Sequence, residues 1–127
     1  YGFDDGLYAG ARLLEILSQF NNPSEVLEAL PKGFSTPELN IALNEGEQHK
    51  LIKTLQSNAK FDDAIEVIMI DGLRVEYPYG FGLMRASNTT PVIVLRFEAD
   101  TEEGLKNIQG QFKEILKKYL PPEKITF

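Results

Sequence analysis

The sequence predicts an α+β fold from residue 36 onward, with the order strand, helix, four strands, helix, and one extra helix at the N-terminal end. Three observations support this. Several short segments alternate apolar and polar residues, as half-buried strands do. Two longer segments repeat their apolar residues at helical spacing. The connections are short, which favours an antiparallel sheet with both helices packed on one face.

Composition narrows the class of protein. The chain has 127 residues, enough for one domain and a short additional element. With 43% hydrophobic and 25% charged residues it has the composition of an ordinary globular domain. Its net charge of -6 repels phosphate backbones and anionic lipid, so nucleic acid and membrane surfaces are poor partners.

The chain contains no cysteine. Disulfides, thiolate catalysis and cysteine-based zinc sites are therefore excluded, and nothing suggests an oxidising compartment. No apolar run reaches membrane-spanning length. The sequence opens on "YGFDDG", without an initiator methionine or a signal-peptide pattern, which suggests a processed chain or an excised piece of a longer protein.

Residues 4–20 predict the extra helix. Asp4 or Asp5 suits its positive end, and the turn at residues 21–23 stops it. Its apolar residues cover most of the circumference, so the helix is expected to have neighbours on several sides. Residues 23–35 follow as a short helical turn and a loop, interpreted as a linker.

The α+β unit begins with a strand and a helix. Residues 37–43 alternate Leu39, Ile41 and Leu43 with polar residues, and Pro37 stands at the start of this strand. Residues 45–59 then follow helical spacing.

Four strands come next. Asp71-Gly72 separates residues 64–70 from residues 73–78 and is a two-residue hairpin signal. "PYG" turns the chain into "FGLM", and "PVIVLRFEA" forms the last strand after the connection "RASNTTP". In the final helix Asp100 is the expected N-cap with Glu103 as its reciprocal partner, and Pro121-Pro122 end the helix.

The connection "RASNTTP", residues 85–91, carries the strongest site signal. Arg85 offers a planar fork of donors suited to phosphate or carboxylate. Ser87, Thr89 and Thr90 add hydroxyl groups, and Asn88 readily adopts φ > 0, which would aim successive N–H groups at an anion. The alternative is an ordinary hairpin loop whose hydroxyls cap their own backbone.

Other polar groups give weaker signals. His49 is interpreted as a solvent-exposed histidine on a helix, because the sequence has no second His and no Cys to complete a metal site with it. The pair Asp4-Asp5 is interpreted as negative charge at the N-terminal end of a helix, and the pair Asp62-Asp63 as part of a turn. Neither is interpreted as a pair for acid–base catalysis.

An aromatic group on the predicted strands, made up of Tyr77, Tyr79 and Phe81, suggests base stacking. The acidic net charge and the lack of basic residues between the rings favour core and turn packing instead.

The segment "DGLRVEYPYGFGLMRASNTTPVIVLRFEADTEEGL" resembles the C-terminal domain of the α-D-phosphohexomutases, above all the bacterial phosphomannomutase/phosphoglucomutase branch. The family pattern is an arginine, any residue, a serine, Gly or Asn, a threonine, then usually Glu-Pro. This chain has Thr90 in place of that Glu, a form similar to the dual-specificity bacterial branch. The stretch "FDDGLYAGARLLEILS" is similar to the helix that closes the family's third domain.

The resemblance implies a TATA-binding-protein-like fold and three parts: residues 1–22 as the last helix of the third domain, residues 23–35 as a linker, and residues 36–127 as the fourth domain. It further implies a cytoplasmic four-domain parent enzyme. That parent would interconvert hexose 1-phosphate and 6-phosphate through a phosphoserine and a bisphosphorylated intermediate, with Mg²⁺ and a bisphosphorylated hexose as activator.

Four residues carry over as ligands of the substrate phosphate that is not transferred: Arg85 as the charged contact, and Ser87, Asn88 and Thr89 as further donors. The family's phosphoserine, magnesium and sugar-selecting loops have no counterpart here, so this chain by itself is expected to be inactive and to bind no metal. The expected partners are hexose phosphate and the remaining domains, not nucleic acid or membrane. A phosphoglucosamine mutase fragment and a stand-alone module that binds phosphate or a phosphoprotein remain as alternatives.

Overall fold

A computed structural model of the chain describes residues 4–127, which fall into two compact units divided between Lys32 and Gly33. The first unit contains α1 (Gly6–Leu17) and α2 (Pro23–Glu28). The predicted helix-end role of the first acidic pair is confirmed, because the Asp5 carboxylate accepts a hydrogen bond from the Tyr8 amide at 2.9 Å. Helix α1 buries none of its residues, and Leu7 is 88% exposed.

The second unit is built on one six-stranded antiparallel sheet. Its strands are β1 (Phe34–Ser35), β2 (Leu39–Ala42), β3 (Glu66–Ile68), β4 (Leu73–Tyr77), β5 (Gly80–Ala86) and β6 (Val92–Ala99). They lie in the order β1, β6, β5, β4, β3, and β2 also pairs with β6. Strands β5 and β6 therefore occupy the middle of the sheet.

Strands β1 and β2 share one edge of β6, on either side of the stretch around Pro37. Between them Thr36 continues the hydrogen bonding to β6. Its amide donates to the Phe97 carbonyl at 3.0 Å, and its hydroxyl accepts from the Phe97 amide at 3.2 Å. The proline lies at the edge of the sheet, where its missing N–H breaks no interior ladder bond.

Two helices cover one face of this sheet. Helix α3 (Glu47–Asn58) packs on β4 and β5, and α4 (Glu102–Leu116) packs on β5, β6 and β1. Both contribute to a single apolar core, in which the largest fully buried side chains are Phe97, Phe112, Ile41, Leu55, Leu73, Met84, Ile93, Leu95, Ile108, Leu116 and Val75. The predicted α+β fold is confirmed. The opposite sheet face carries no helix of this unit.

Two local expectations about connections are wrong. The N-cap of α4 is Thr101, whose hydroxyl accepts from the Gly104 amide at 3.0 Å, and not Asp100. The connection between β3 and β4 spans Met69 to Gly72, longer than the two-residue turn that Asp71-Gly72 suggested. Gln56 of α3 holds that longer connection by donating to the carbonyls of Met69 at 3.2 Å and Gly72 at 2.7 Å.

The range interpreted as a linker, residues 23–35, contains α2 and β1. The assignment of the first residues to a preceding domain stays a prediction. Among the described residues, no helix has both the length and the apolar character needed to span a membrane.

Candidate functional site: a polar connection between the two central strands

The segment 85–91 joins β5 to β6 at one end of the sheet. Strand β5 runs further than the sequence suggested and includes Arg85, which pairs with Val94 across the ladder. Its neighbours in sequence, Met84 and Ala86, face the buried core. Because successive side chains of a strand point to opposite faces, Arg85 lies on the helix-free face, next to the polar turn that follows it.

The Arg85 side chain has no hydrogen-bond or ion-pair partner within residues 4–127. Another arginine of the helix-free face differs in this respect. Arg74 forms an ion pair with Glu76 and lies over the Phe81 ring at 3.8 Å. The Arg74 side chain is therefore engaged in local structure, whereas the half-buried Arg85 side chain keeps its donors available for an anion.

A turn centred on Ser87 follows. The Ser87 amide donates to the Val92 carbonyl at 3.0 Å, which closes the connection. The Ser87 hydroxyl oxygen accepts from the amides of Thr89 and Thr90, both at 3.3 Å. Its nearest hydroxyl neighbour is that of Thr90 at 3.0 Å, with that of Thr89 at 3.4 Å. The loop therefore does cap its own backbone through a serine side chain.

The expected backbone of Asn88 is wrong. Across the described residues Asp63, with φ 57°, is the non-glycine residue with positive φ, so Asn88 does not adopt the left-handed conformation. The Ser87 hydroxyl fixes the turn without it. The positive φ of Asp63 also confirms the turn predicted at Asp62-Asp63.

Asn88 lies at the rim of a cavity of about 160 Å³ on the helix side of the sheet. Its wall includes His49 and Lys53 of α3. His49 is exposed and helical, as predicted. Its proximity to Asn88 was not foreseen, because 39 positions separate them and only the packing of α3 on the sheet brings them together.

The aromatic group is used for packing, as predicted. Tyr77 is buried and donates to the side-chain carbonyl of Gln111 at 3.2 Å, and its ring stacks on Tyr79 with centroids 5.7 Å apart. Burial, and then the charges of nearby groups, raise the pKa of the Tyr77 hydroxyl.

No group of three His, Asp or Glu side chains converges as metal ligands within the part of the chain that the structure describes. A Mg²⁺ site made of converging carboxylates is therefore not found in that part of the chain.

The antiparallel sheet with two helices on one face, and a Ser/Thr turn beside an unpaired arginine, define an α+β domain with a candidate anion site. The sequence model of the family "Phosphoglucomutase/phosphomannomutase, C-terminal domain" matches residues 38–115. This range includes all of β2 to β6, α3, most of α4 and the whole segment 85–91. The chain belongs to this family.

Relatives agree with that assignment. The chain is 67% identical over 117 residues to a phosphoglucomutase of Neisseria meningitidis serogroup B, covering 91% of this chain and 25% of the relative. It is 50% identical over 128 residues to a phosphomannomutase/phosphoglucomutase of Pseudomonas syringae pv. tomato, covering 100% of this chain and 27% of the relative.

A crystal structure of a phosphoglucomutase/phosphomannomutase family protein from Burkholderia thailandensis superposes with a TM-score of 0.81 at 58% identity. The match covers 93% of this chain and 24% of that one. The chain thus spans about a quarter of the length of the relatives it matches.

Proposed function

We propose that this chain is the phosphate-binding C-terminal part of a phosphomannomutase/phosphoglucomutase. The observation that supports the proposal is the position of Arg85. Its side chain has no partner among the described residues, and it lies at the end of β5, next to the turn centred on Ser87. An arginine fork beside a compact set of serine, threonine and asparagine side chains suits a phosphate dianion. Family membership and the names of the relatives support this choice of ligand over other anions.

In the parent enzyme the proposed reaction interconverts hexose 1-phosphate and 6-phosphate through a phosphoserine and a bisphosphorylated hexose. Segment 85–91 holds the phosphate that is not being transferred. Arg85 supplies the charged contact, and Ser87, Asn88 and Thr89 supply further donors. Phosphoryl transfer itself is assigned to residues outside this chain, so the chain alone is proposed to be inactive.

The chemistry of the segment suits this role. Arginine, serine, threonine and asparagine donate hydrogen bonds to phosphate without exchanging protons with it near neutral pH. A substrate that presents either of its two ends needs a site that recognises the phosphate and not the sugar. Each hydrogen bond to the charged oxygens contributes about 1.5–3 kcal/mol.

The proposed domain organisation has residues 1–22 as the closing helix of a preceding domain, residues 23–35 as a linker and residues 36–127 as the fourth domain. Helix α1 supports this, because it exposes large apolar side chains that include Leu7, Leu14 and Ile16. An apolar surface on a helix of a larger protein is expected to pack against other parts of it. The relatives are about four times as long as this chain, which leaves room for those parts.

The parent enzyme is proposed to use Mg²⁺ and a bisphosphorylated hexose activator, both bound by the missing domains. It is proposed to act in the cytoplasm, since charged sugar phosphates cross a bilayer poorly and stay where they are made.

A titration of this chain with glucose 6-phosphate, followed by amide chemical shifts, tests the proposal. Shifts should concentrate in residues 85–90, with a Kd on the order of millimolar or weaker, near -4 kcal/mol, because most of the substrate pocket is absent. Arg85→Ala should abolish the shifts. Lys106→Ala, which removes one positive charge from the exposed face of α4, should leave them unchanged. Shifts that avoid residues 85–90 would contradict the proposed site.

A further inference from the structure

We propose that a groove between α3 and the chain that follows α4 binds a small organic anion with an apolar body, such as an arylalkyl carboxylate. This groove, which we call the α3 groove, is lined by residues between 43 and 54 on one side and between 119 and 124 on the other. Its volume is about 410 Å³, which lies in the range of pockets that hold small molecules. None of residues 85–90 lines it, so the site is independent of the proposed phosphate-binding function.

The floor of the α3 groove is apolar. Leu43, Leu51 and Leu120 line it, and each of these leucines is half-buried and packs against the core. Tyr119 and Pro121 add exposed side chains to the wall formed by the chain after α4. A ligand with an apolar body would remove this surface from water when it binds, which is the main favourable contribution in most small-molecule sites.

The lining of the α3 groove also contains two lysines. Lys50 and Lys124 have no ion-pair partner within residues 4–127. Glu47 is the acidic residue of the lining, and Asn44 binds one oxygen of its carboxylate through the backbone amide at 2.9 Å and the side-chain amide at 3.0 Å. The lysines outnumber the acids here, although the chain as a whole has a net charge of -6. This local excess of positive charge favours an anionic ligand over a neutral or cationic one.

The wall formed by the chain after α4 is held in place. The Leu120 amide donates to the Leu116 carbonyl at 2.8 Å, which continues the hydrogen bonding of the helix. Further along, the Phe127 ring stacks on the buried Phe97 ring with centroids 5.3 Å apart. The opposite wall is the helix α3 itself. Because both walls are already ordered, little conformational entropy is lost when a ligand binds between them.

Titration of this chain with phenylbutyrate, followed by amide chemical shifts, tests the proposal. The ring and methylene groups of this probe match the apolar floor, and its carboxylate matches the lysines. The shifts should map to the lining of the α3 groove, with a Kd on the order of millimolar. The neutral phenylbutanol should bind about three- to tenfold more weakly, because it makes no charge contact with the exposed lysines. The cationic phenylbutylamine should bind more weakly still. Shifts only outside the groove, or equal affinity for the carboxylate and the alcohol, would overturn the proposal.

Lys50→Ala combined with Lys124→Ala isolates the contribution of charge. This double variant should bind phenylbutyrate about three- to tenfold more weakly than wild type does, and phenylbutanol with unchanged affinity. Lys60→Ala combined with Lys106→Ala is the matched control, because it removes the same net charge from residues that do not line the groove. The control should leave both affinities close to those of wild type. If the two double variants weaken phenylbutyrate binding equally, only the net charge matters and the proposed site is wrong.

Leu51→Ala tests the apolar floor. It should weaken the binding of both phenylbutyrate and phenylbutanol by about threefold or more, because less apolar surface is buried. Leu51 also packs against the core, so thermal unfolding is used to show that the variant is folded. Tyr119→Ala, at an exposed position, gives a second test with the same expected loss for both probes. Wild-type affinities in these variants would overturn the proposal.

Discussion

The ring of Phe112 lies where a side chain on Gly82 would begin. A Cβ built on Gly82 would come within 2.5 Å of that ring, and Phe112 is fully buried. Gly82 stands in the middle of β5, the strand that carries Arg85 as its last but one residue. The absence of a side chain there lets α4 approach the centre of the sheet, and the same close contact fixes the strand that carries the candidate site.

Gly82→Ala is therefore expected to destabilise the fold by about 1–3 kcal/mol, the usual cost of overpacking a close-packed core. Gly110→Ala is the matched control. Gly110 lies in α4 with open space around the position of a Cβ, so alanine there should stabilise the helix by about 0.5–1 kcal/mol. Urea unfolding of the three proteins measures both changes. Equal stability of the two variants would contradict the account of β5 and α4 packing.

The start of α4 gives a second prediction. Thr101→Ala should cost about 1 kcal/mol of unfolding free energy, because the Gly104 amide loses its side-chain acceptor. Asp100→Ala should cost much less, since Asp100 is not the cap. Thermal unfolding of the two variants under identical conditions compares them. A larger loss in Asp100→Ala would restore the sequence-based assignment of the cap.

A third prediction concerns high pH and Tyr77. Burial is the main cause of its raised pKa, and the neighbouring Tyr79, Asp62 and Asp63 add to it. The folded state therefore holds the proton at pH values where the unfolded chain releases it. The resulting stability is fully present below the ordinary tyrosine pKa of about 10 and falls as the pH rises above that value.

Denaturant unfolding of wild type and Tyr77→Phe across that range checks this prediction. Near neutral pH the variant should lose about 1 kcal/mol through the missing hydrogen bond to Gln111. Above about pH 10 the gap should close, because the variant has no hydroxyl to ionise at this position. Curves that stay parallel throughout would show that Tyr77 does not contribute to the loss of stability in base.

The fourth prediction concerns catalysis in the intact parent enzyme. Arg85→Ala should lower kcat/KM by about a hundredfold, as expected for the loss of about 2–3 kcal/mol of phosphate binding. Lys106→Ala, which breaks only an exposed pair with Glu102, should leave the kinetics unchanged. Steady-state kinetics with glucose 1-phosphate distinguish the two. Wild-type kinetics in Arg85→Ala would exclude the proposed role.

Much of this fold follows from the sequence alone. The alternation of Leu73, Val75 and Tyr77 predicts the buried face of β4. The helical spacing of Ile108, Phe112 and Ile115 predicts that of α4. These patterns are local and repeat over several residues. Strand β1 has two residues, too few to show any alternation, and its pairing with Ala99 depends on a partner far along the chain.

The candidate site was predictable in residue type but not in geometry. The composition of "RASNTTP" indicates an anion site in a turn. The sequence does not show that Arg85 is the last but one residue of a strand, because strand ends are set by pairing with Val94. Nor does it show that the Ser87 hydroxyl accepts hydrogen bonds from the amides of Thr89 and Thr90. Those bonds depend on the backbone conformation of the connection.

The hydrogen bonds of Ser87 have a mechanical consequence for the parent enzyme. The Ser87 amide donates to the Val92 carbonyl and the Val92 amide donates to the Thr90 carbonyl, so the connection is tied to the start of β6 and cannot swing over a ligand like a flap. It is joined on one side to β5 and on the other to β6, the two central strands. If segment 85–91 binds phosphate as proposed, a movement of the segment toward the ligand would have to carry β5 and β6 with it.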